Sequence, residues 1–338
     1  MVGFGCHSLP ELFMTLRTAE PLLQAFPAAR FIKEIGRGKD GARDMSRADA
    51  DELYSAMLAG RVSDLELGGI LLALRIKGES IEEIAGFLDA AERSFAPLEV
   101  TVGEYAPVAI PSYNGARNMA NLTPLLAMLL AREGVPVLVH GVLNDPNRVT
   151  SAEIFSALGL PLSDSVAHAQ NQIAGGGPAF MAIETLAPRL AYLLSLRRIL
   201  GVRSSTHTLV KILQPFTSPA LRLSSYTHPE YLQMLGQYFS TLAPVARGDI
   251  FFMRGTEGET VANARRAQQI DWFHGAERRT LTEKQGGVDI VPNLPAQRDA
   301  SCTARWIETV LAGSVPVPGP ILEQVGHTLA VSRQLAAT

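Results

Sequence analysis

A small N-terminal α-helical part beside a larger α/β part with a mostly parallel sheet is the fold predicted by two patterns in the chain. The first third is punctuated by serines placed to cap short helices. From about Tyr105, short apolar runs alternate with helical stretches, as βαβ units require. The division is expected near residue 104, with 1–104 helical and 105–338 α/β.

The elements follow in order. Ser46 caps a helix running through Asp49 to Ala59, and Gly60 ends it. Ser63 and Glu66 form a capping box, after which Leu65, Ile70, Leu71 and Leu74 make an apolar stripe up to Lys77 and Gly78. Ser80 and Glu83 repeat the box and open a helix carrying Ile81, Ile84, Phe87 and Leu88. These helices need a further surface to bury their apolar faces. Strands are predicted at Val108–Ile110, Val135–Val139, Leu209–Leu213, Leu221–Ser224 and Ile250–Met253. Ala179–Ile199 reads as mostly helical, with Pro188 as a kink or boundary. The Gly175-Gly176-Gly177-Pro178 run before it reads as a hinge, not a phosphate loop, because no strand clearly precedes it. Pro316, Pro318 and Pro320 form a rigid loop before a last amphipathic helix.

Composition narrows the function classes. Hydrophobic residues make up 47% of the 338 residues and charged residues 19%, which places the chain among folded globular proteins. A net charge of −3 argues against a protein that is basic all over, but partners respond to local field and not to the sum. Cys6 and Cys302 are too few for a disulfide framework and lack metal-ligand spacing, so a reducing cytoplasm is expected. The N-terminus has no basic start followed by an apolar run, so no signal peptide is read. The most apolar run, Leu122–Ala131, contains Pro124 and is too short to span a bilayer.

At Leu53–Ala91, LYSAMLAGRVSDLELGGILLALRIKGESIEEIAGFLDAA resembles the N-terminal helical domain of anthranilate phosphoribosyltransferases and their relatives, the pyrimidine-nucleoside phosphorylases. His140-Gly141, Ser151–Gly159 and SLRRILGVRSSTH at Ser195–His207 resemble further segments of that family, and the likeness runs from roughly Phe31 to Leu311. It implies a helical domain completed by a later insertion near residues 175–200, an α/β domain, and a homodimer.

The resemblance fails where the chemistry should lie. The family's GTGGD diphosphate loop falls on Pro111-Ser112-Tyr113-Asn114-Gly115. Glycines there let backbone N–H groups approach phosphate, whereas Pro111 has no N–H and Tyr113 fills space. The next motif, N-I-S-T, falls on Asn121-Leu122-Thr123-Pro124. K-H-G-N-R falls on Val139-His140-Gly141-Val142-Leu143, without its lysine, asparagine and arginine. The metal-binding Asp-Glu pair falls on Thr260 and Val261. Ser112, Asn114, Asn121, Thr123, His140, Asn144 and Arg197 therefore outline a vestigial diphosphate and acceptor site. In the family, the arginine matching Arg197 contacts the aromatic acceptor. Mg²⁺ and cationic groups neutralise the departing diphosphate in such transfer, and each is worth roughly 10²–10³ in rate. No catalytic or metal-binding residue is assigned, and Mg²⁺ is expected only if transfer to an aromatic or nucleobase-like acceptor persists. Glu257 and Glu259 read as solvated charges in a polar loop. His140 reads as structural, and Asn144, Asp145 and Asn147 as a turn.

Positive charge is concentrated elsewhere. Thr185–Pro229 holds Arg189, Arg197, Arg198, Arg203, Lys211 and Arg222 and no Asp or Glu. Arg37, Lys39 and Arg43 form a second cluster, to which Lys77, Arg117, Arg265 and Arg266 can add. Tyr113, Tyr192, Tyr226 and Trp272 are candidate stacking surfaces, although Tyr192 and Trp272 read better as core. The pattern resembles a non-biosynthetic, nucleic-acid-binding branch of the family. It implies a partner that is single-stranded DNA or RNA, held with little sequence preference by Arg37, Lys39, Arg43, Lys77, Arg117, Arg189, Arg197, Arg198, Arg203 and Lys211. No membrane partner is expected.

Overall fold

The computed structural model describes residues 25–38 and 40–338. Its helical part opens with α1 (Ala29–Ile35), α2 (Arg47–Leu58), α3 (Asp64–Lys77) and α4 (Ile81–Arg93). The expected caps are in place. The Ser46 hydroxyl accepts from the Asp49 N–H, and Ser63/Glu66 and Ser80/Glu83 are complete capping boxes. Each box satisfies N–H groups that a helix start leaves unpaired.

The α/β part continues with β1 (Val108–Ser112), α5 (Thr123–Arg132), β2 (Val137–Gly141), α6 (Ser151–Ala157), α7 (Val166–Ala174) and β3 (Ala179–Ala182). Short helices follow: α8 (Ile183–Leu186), α9 (Pro188–Ser195), α10 (Arg197–Leu200) and α11 (Thr206–Leu209). Then come β4 (Leu221–Tyr226), α12 (Pro229–Thr241), β5 (Ile250–Arg254), β6 (Arg266–Ala267), β7 (Ile270–His274), β8 (Glu277–Thr282), β9 (Gly286–Gly287), α13 (Ala300–Leu311) and α14 (Gly319–Ala336).

The main sheet runs β3-β2-β1-β4-β5-β7-β8. β1 to β5 pair in parallel, and β7 and β8 add an antiparallel edge. One sheet face packs on the helical part through residues such as Ala109, Leu138 and Phe252. The other carries Val108, Val139 and Phe251 against α5, α6, α13 and α14. Burial on both faces explains why the parallel strands read as continuous apolar runs.

One expectation needs correction. Leu209–Leu213 is buried but is not a strand; it continues the turn of α11. A short apolar run looks the same in a strand and in a buried turn. Ala179–Ile199 is mostly helical as expected, although it opens as β3, and Pro188 is a helix boundary: it occupies the first turn of α9, where its missing N–H costs nothing.

The sheet also creates an opening. β1 and β4 pair only at Val108↔Leu221 and Ala109↔Arg222. From β1 the chain moves outward to β2 and β3, and from β4 outward to β5, so β1/β4 is the switch point of the sheet. Ligand crevices in open α/β sheets form there, beyond the strands' carboxyl ends.

Candidate functional site at the switch point

The loop after β1, Tyr113–Met119, meets the loop Gly255–Glu259 that follows β5. The second loop inserts between the ends of β1 and β4. Asn114 Nδ2 donates to the Gly258 carbonyl at 2.7 Å, and Ser225 Oγ donates to the same carbonyl at 2.9 Å. Gly258 has φ +96°, and a Cβ there would lie 2.0 Å from Asn114 Nδ2, so only glycine fits.

This insertion delivers two carboxyl groups to backbone donors. Glu259 Oε1 accepts from the N–H groups of Asn114 at 2.9 Å and Gly115 at 2.7 Å, and its Oε2 accepts from Thr123 Oγ1 at 3.3 Å. The residue is 1% exposed. Glu257 accepts from the N–H groups of Arg117, Asn118 and Met119 and from Asn118 Nδ2. Burial opposes its charge, but these donors win and hold its carboxyl below the usual range. Glu257 is at φ +54°, a left-handed conformation that the N–H contacts stabilise. The two glutamates are therefore not solvated charges. They fill a concavity of N–H groups of the kind that binds phosphate.

The remaining vestigial residues form a packed polar layer. Ser112 Oγ and Ser151 Oγ share a hydrogen bond of 2.7 Å, and Asn121 Nδ2 donates to Ser151 Oγ at 3.1 Å. Asn121 Oδ1 accepts from the Thr123 N–H. His140 is buried, with Nδ1 2.8 Å from the Tyr113 hydroxyl, and burial lowers it to about 3, so it stays neutral. Tyr113 is thus committed to His140 and is not a stacking platform. Asn144 is exposed in the loop after β2.

Mg²⁺ held by the family's Asp-Glu pair does not fit these residues. Thr260 and Val261 are buried at the matching positions, and both nearby glutamates are taken by N–H donors. Among the described residues, no group of three or more His, Cys, Asp or Glu side chains converges as a metal site.

Beside the filled loop lies a cavity of about 440 Å³ lined by Arg75, Arg148, Arg203, His207 and Lys211, and by Ser224, Tyr226, His228 and Tyr231. Arg203 Nη2 donates to Asn114 Oδ1 at 2.9 Å. Arg148 Nη1 donates to the Gly115 and Glu257 carbonyls, each at 3.2 Å, and Lys211 Nζ to the Gly258 carbonyl at 3.2 Å. Arg75 reaches the Tyr231 hydroxyl. Among the described residues, no carboxylate is paired with Arg75, Arg148, Arg197 or Arg203. Arg203 is pushed down by burial, and then by Arg197, Arg148 and Arg75, which shows that these cations share one field. Burial lowers Lys211 to about 8, opposed by Glu259 and reinforced by Arg203 and Arg148. His207 is lowered to about 4 by burial and by Arg203 and Arg197.

The predicted cations divide. Arg203 and Lys211 line the cavity, and Arg197 acts on it electrostatically. Arg189, Arg197 and Arg198 are exposed on α9 and α10, and Arg117 is exposed in the loop after β1. Arg37 and Arg43 are exposed and pair with Glu34. Lys77 is spent internally: its Nζ lies 2.5 Å from Asp44 and 2.7 Å from the fully buried Glu83. A cation this enclosed is a structural partner for Glu83 and not a groove contact. Lys39 lies outside the described residues. Arg222 is buried in β4 and donates to the Ile212 and Gly248 carbonyls. Trp272 is core, with Nε1 bonded to Asp249. Sequence reasoning missed Arg75, Arg148 and Ser224, and misread Glu257 and Glu259. The only signal for the glutamates was their place beside the lost metal pair.

Residues 29–94 match the glycosyl transferase family, helical bundle domain. The chain is 44% identical over 310 residues to the uncharacterized protein YbiB of Escherichia coli, covering 91% of this chain and 95% of that protein. It is 26% identical over 301 residues to an anthranilate phosphoribosyltransferase of Methanopyrus kandleri, covering 86% and 84%. The solved anthranilate phosphoribosyltransferase of Thermus thermophilus shares the fold with a TM-score of 0.68 at 21% identity, covering 90% of this chain and 94% of that one. The Saccharomyces cerevisiae enzyme, in complex with PRPP and Mg, gives 0.66 at 14% identity, covering 92% and 88%.

Proposed function

This chain belongs to the anthranilate phosphoribosyltransferase-like family, in close kinship with YbiB, and we propose that it binds single-stranded nucleic acid and does not transfer a phosphoribosyl group. One observation carries the reading. The backbone donors of the loop after β1 are filled by Glu257 and Glu259, while Arg75, Arg148, Arg197 and Arg203 share one field and none of them is paired with a carboxylate, although Glu230 also lines the cavity. A diphosphate with Mg²⁺ loses its donors and its metal ligands in such a site. A polyanion gains a cluster of cations whose mutual repulsion it relieves. Each phosphate contact releases counterions, so affinity is expected to fall steeply with salt. DNA and RNA both fit this chemistry, because backbone contacts carry no sequence information.

Gel-shift titration of single-stranded oligonucleotides at rising salt tests the proposal. The expected result is binding across unrelated sequences that weakens as salt increases. Absence of binding at low salt, or binding indifferent to salt, would sink it.

Phosphoribosyl transfer to an aromatic or nucleobase-like acceptor is the second reading. Kinship with enzymes of that name favours it, as does Arg197 at the acceptor-contacting position. It requires saturable, Mg²⁺-dependent binding of phosphoribosyl pyrophosphate. A homodimer in the cytoplasm completes the proposal. Leu65, Leu72 and Ile76 are exposed along one face of α3, beside Gly68 and Gly69, which have open space before them. No helix among the described residues is long and apolar enough to cross a membrane. Light scattering on the purified protein tests the dimer.

A further inference from the structure

The cavity at the switch point has two unlike kinds of lining. On the loop side stand Arg148, Arg203 and Lys211, each anchored to Asn114, Gly115, Glu257 or Gly258 at 2.9–3.2 Å. A guanidinium carries five N–H donors and an ammonium three, so each group retains donors after those contacts. Two carboxylates also line the cavity: Glu257, which is taken by the loop N–H groups, and Glu230, which is exposed in the first turn of α12. The end of β4 and the start of α12 contribute Tyr226 and Tyr231 to the lining, with Arg75 reaching the Tyr231 hydroxyl.

A further group marks the floor. Ser224 is 1% exposed, lines this cavity, and its Oγ has no hydrogen-bond partner. Neighbouring Ser225, by contrast, is satisfied by the Gly258 carbonyl. Buried hydroxyls are nearly always paired, so one left unpaired among the protein groups on a cavity wall offers a hydrogen-bonding position to a ligand atom or a water. The volume of about 440 Å³ lies within the range of small-ligand sites, roughly 300–1,000 Å³.

Resting on the strand-binding reading above, we infer that this cavity takes one nucleoside monophosphate unit. Its phosphate sits on Arg148, Arg203 and Lys211, its base lies against Tyr226 and Tyr231, and a polar ligand atom reaches Ser224. A bare anion leaves the tyrosines and Ser224 unused. A neutral nucleoside leaves the cations unrelieved. The unit can arrive as a free nucleotide or as one nucleotide of a strand.

Isothermal titration of the full chain with uridine monophosphate, uridine and inorganic phosphate tests the inference. One uridine monophosphate is expected per chain, bound at least tenfold more tightly than uridine or phosphate. Ser224→Ala should weaken it severalfold while the melting temperature stays level or rises, because an unpaired buried hydroxyl is removed. Tyr231→Ala should weaken uridine monophosphate but not phosphate. A parallel gel shift with oligouridylate, with and without competing uridine monophosphate, separates the sources. Displacement of the strand supports a nucleotide of the strand as the occupant. Tight uridine monophosphate binding without strand binding supports a free nucleotide and overturns the strand reading. Strand binding with no uridine monophosphate binding overturns the cavity assignment alone. Uridine monophosphate bound no more tightly than phosphate overturns it too, leaving a plain anion site.

Discussion

The loop after β1 and the cavity beside it lie within one hydrogen bond of each other, yet they have opposite electrostatic states. The loop's N–H groups are satisfied from inside the protein by Glu257 and Glu259. The cavity's cations are held by neutral carbonyl and amide oxygens and share one field. On the reading proposed above, the protein supplies its own anion to the loop and leaves the adjacent cations for an external one. Under the proposed function, the transferase scaffold stays intact while its ligand class changes.

The strongest test of the contrast removes the internal anion. Glu259→Ala leaves the N–H groups of Asn114 and Gly115 buried without an acceptor and takes a neighbouring charge from Lys211. The expected cost is about 3–5 kcal/mol of stability, measured by chemical denaturation. Added inorganic phosphate should recover part of the loss in the variant by occupying the vacated donors. If stability is unchanged, Glu259 does not fill the loop in the way described.

The converse change leaves both loop glutamates in place and strips the field. Replacing Arg197, Arg198 and Arg203 together with alanine should weaken strand binding by about 10–100-fold, uniformly across sequences, and flatten the salt dependence. Unfolding should move by about 1–3 kcal/mol, nearly all of it from the buried Asn114 Oδ1 that loses its Arg203 donor, because Arg197 and Arg198 are exposed. Weakening confined to one sequence would point to base readout instead.

A smaller effect is expected from pH. Lys211 is lowered to about 8 by burial, with Glu259 opposing and Arg203 and Arg148 reinforcing, and His207 lines the same cavity at about 4. Below pH 8 Lys211 is charged and attracts phosphate; above it the charge is lost. Affinity should therefore fall by up to about tenfold between pH 7 and 9. His207 is neutral throughout that interval and contributes nothing to the change. Lys211→Met should abolish the dependence, and a dependence that survives the substitution would assign it to another group.

Least of all should follow from Arg43→Ala. Its partner Glu34 is 3.8 Å away at the surface, so stability should change by less than about 0.5 kcal/mol. A fluorescence anisotropy titration should show strand affinity within about twofold of the parent. A larger loss would extend the binding surface beyond the cavity to the Arg37–Arg43 segment.

Much of the fold was legible because its signals are local. Ser63 with Glu66 and Ser80 with Glu83 lie three residues apart, and that spacing alone defines their helix starts. Leu209–Leu213 misled because its burial comes from packing against distant elements and not from its own periodicity. The site was legible only as loss. Pro111, Tyr113, Thr260 and Val261 announced that the diphosphate and metal groups were missing. What replaced them depends on contacts between residues far apart in the chain, Glu259 to Asn114 and Arg203 to Asn114 among them. Arg148 lies in a stretch that reads only as a turn, and nothing in the sequence singles out Arg75 in the last turn of α3. Ser224 was hidden because nothing local marks a hydroxyl that the fold leaves unpaired.

The central claim is that internal carboxylates have closed the diphosphate site and left a cationic cleft for a polyanion. Calorimetric titration of phosphoribosyl pyrophosphate with and without Mg²⁺, followed by a single-stranded oligonucleotide in the same cell, tests it most directly. The account predicts no Mg²⁺-dependent binding of the sugar diphosphate and salt-sensitive binding of the strand. A saturable Mg²⁺-dependent complex with phosphoribosyl pyrophosphate would contradict it.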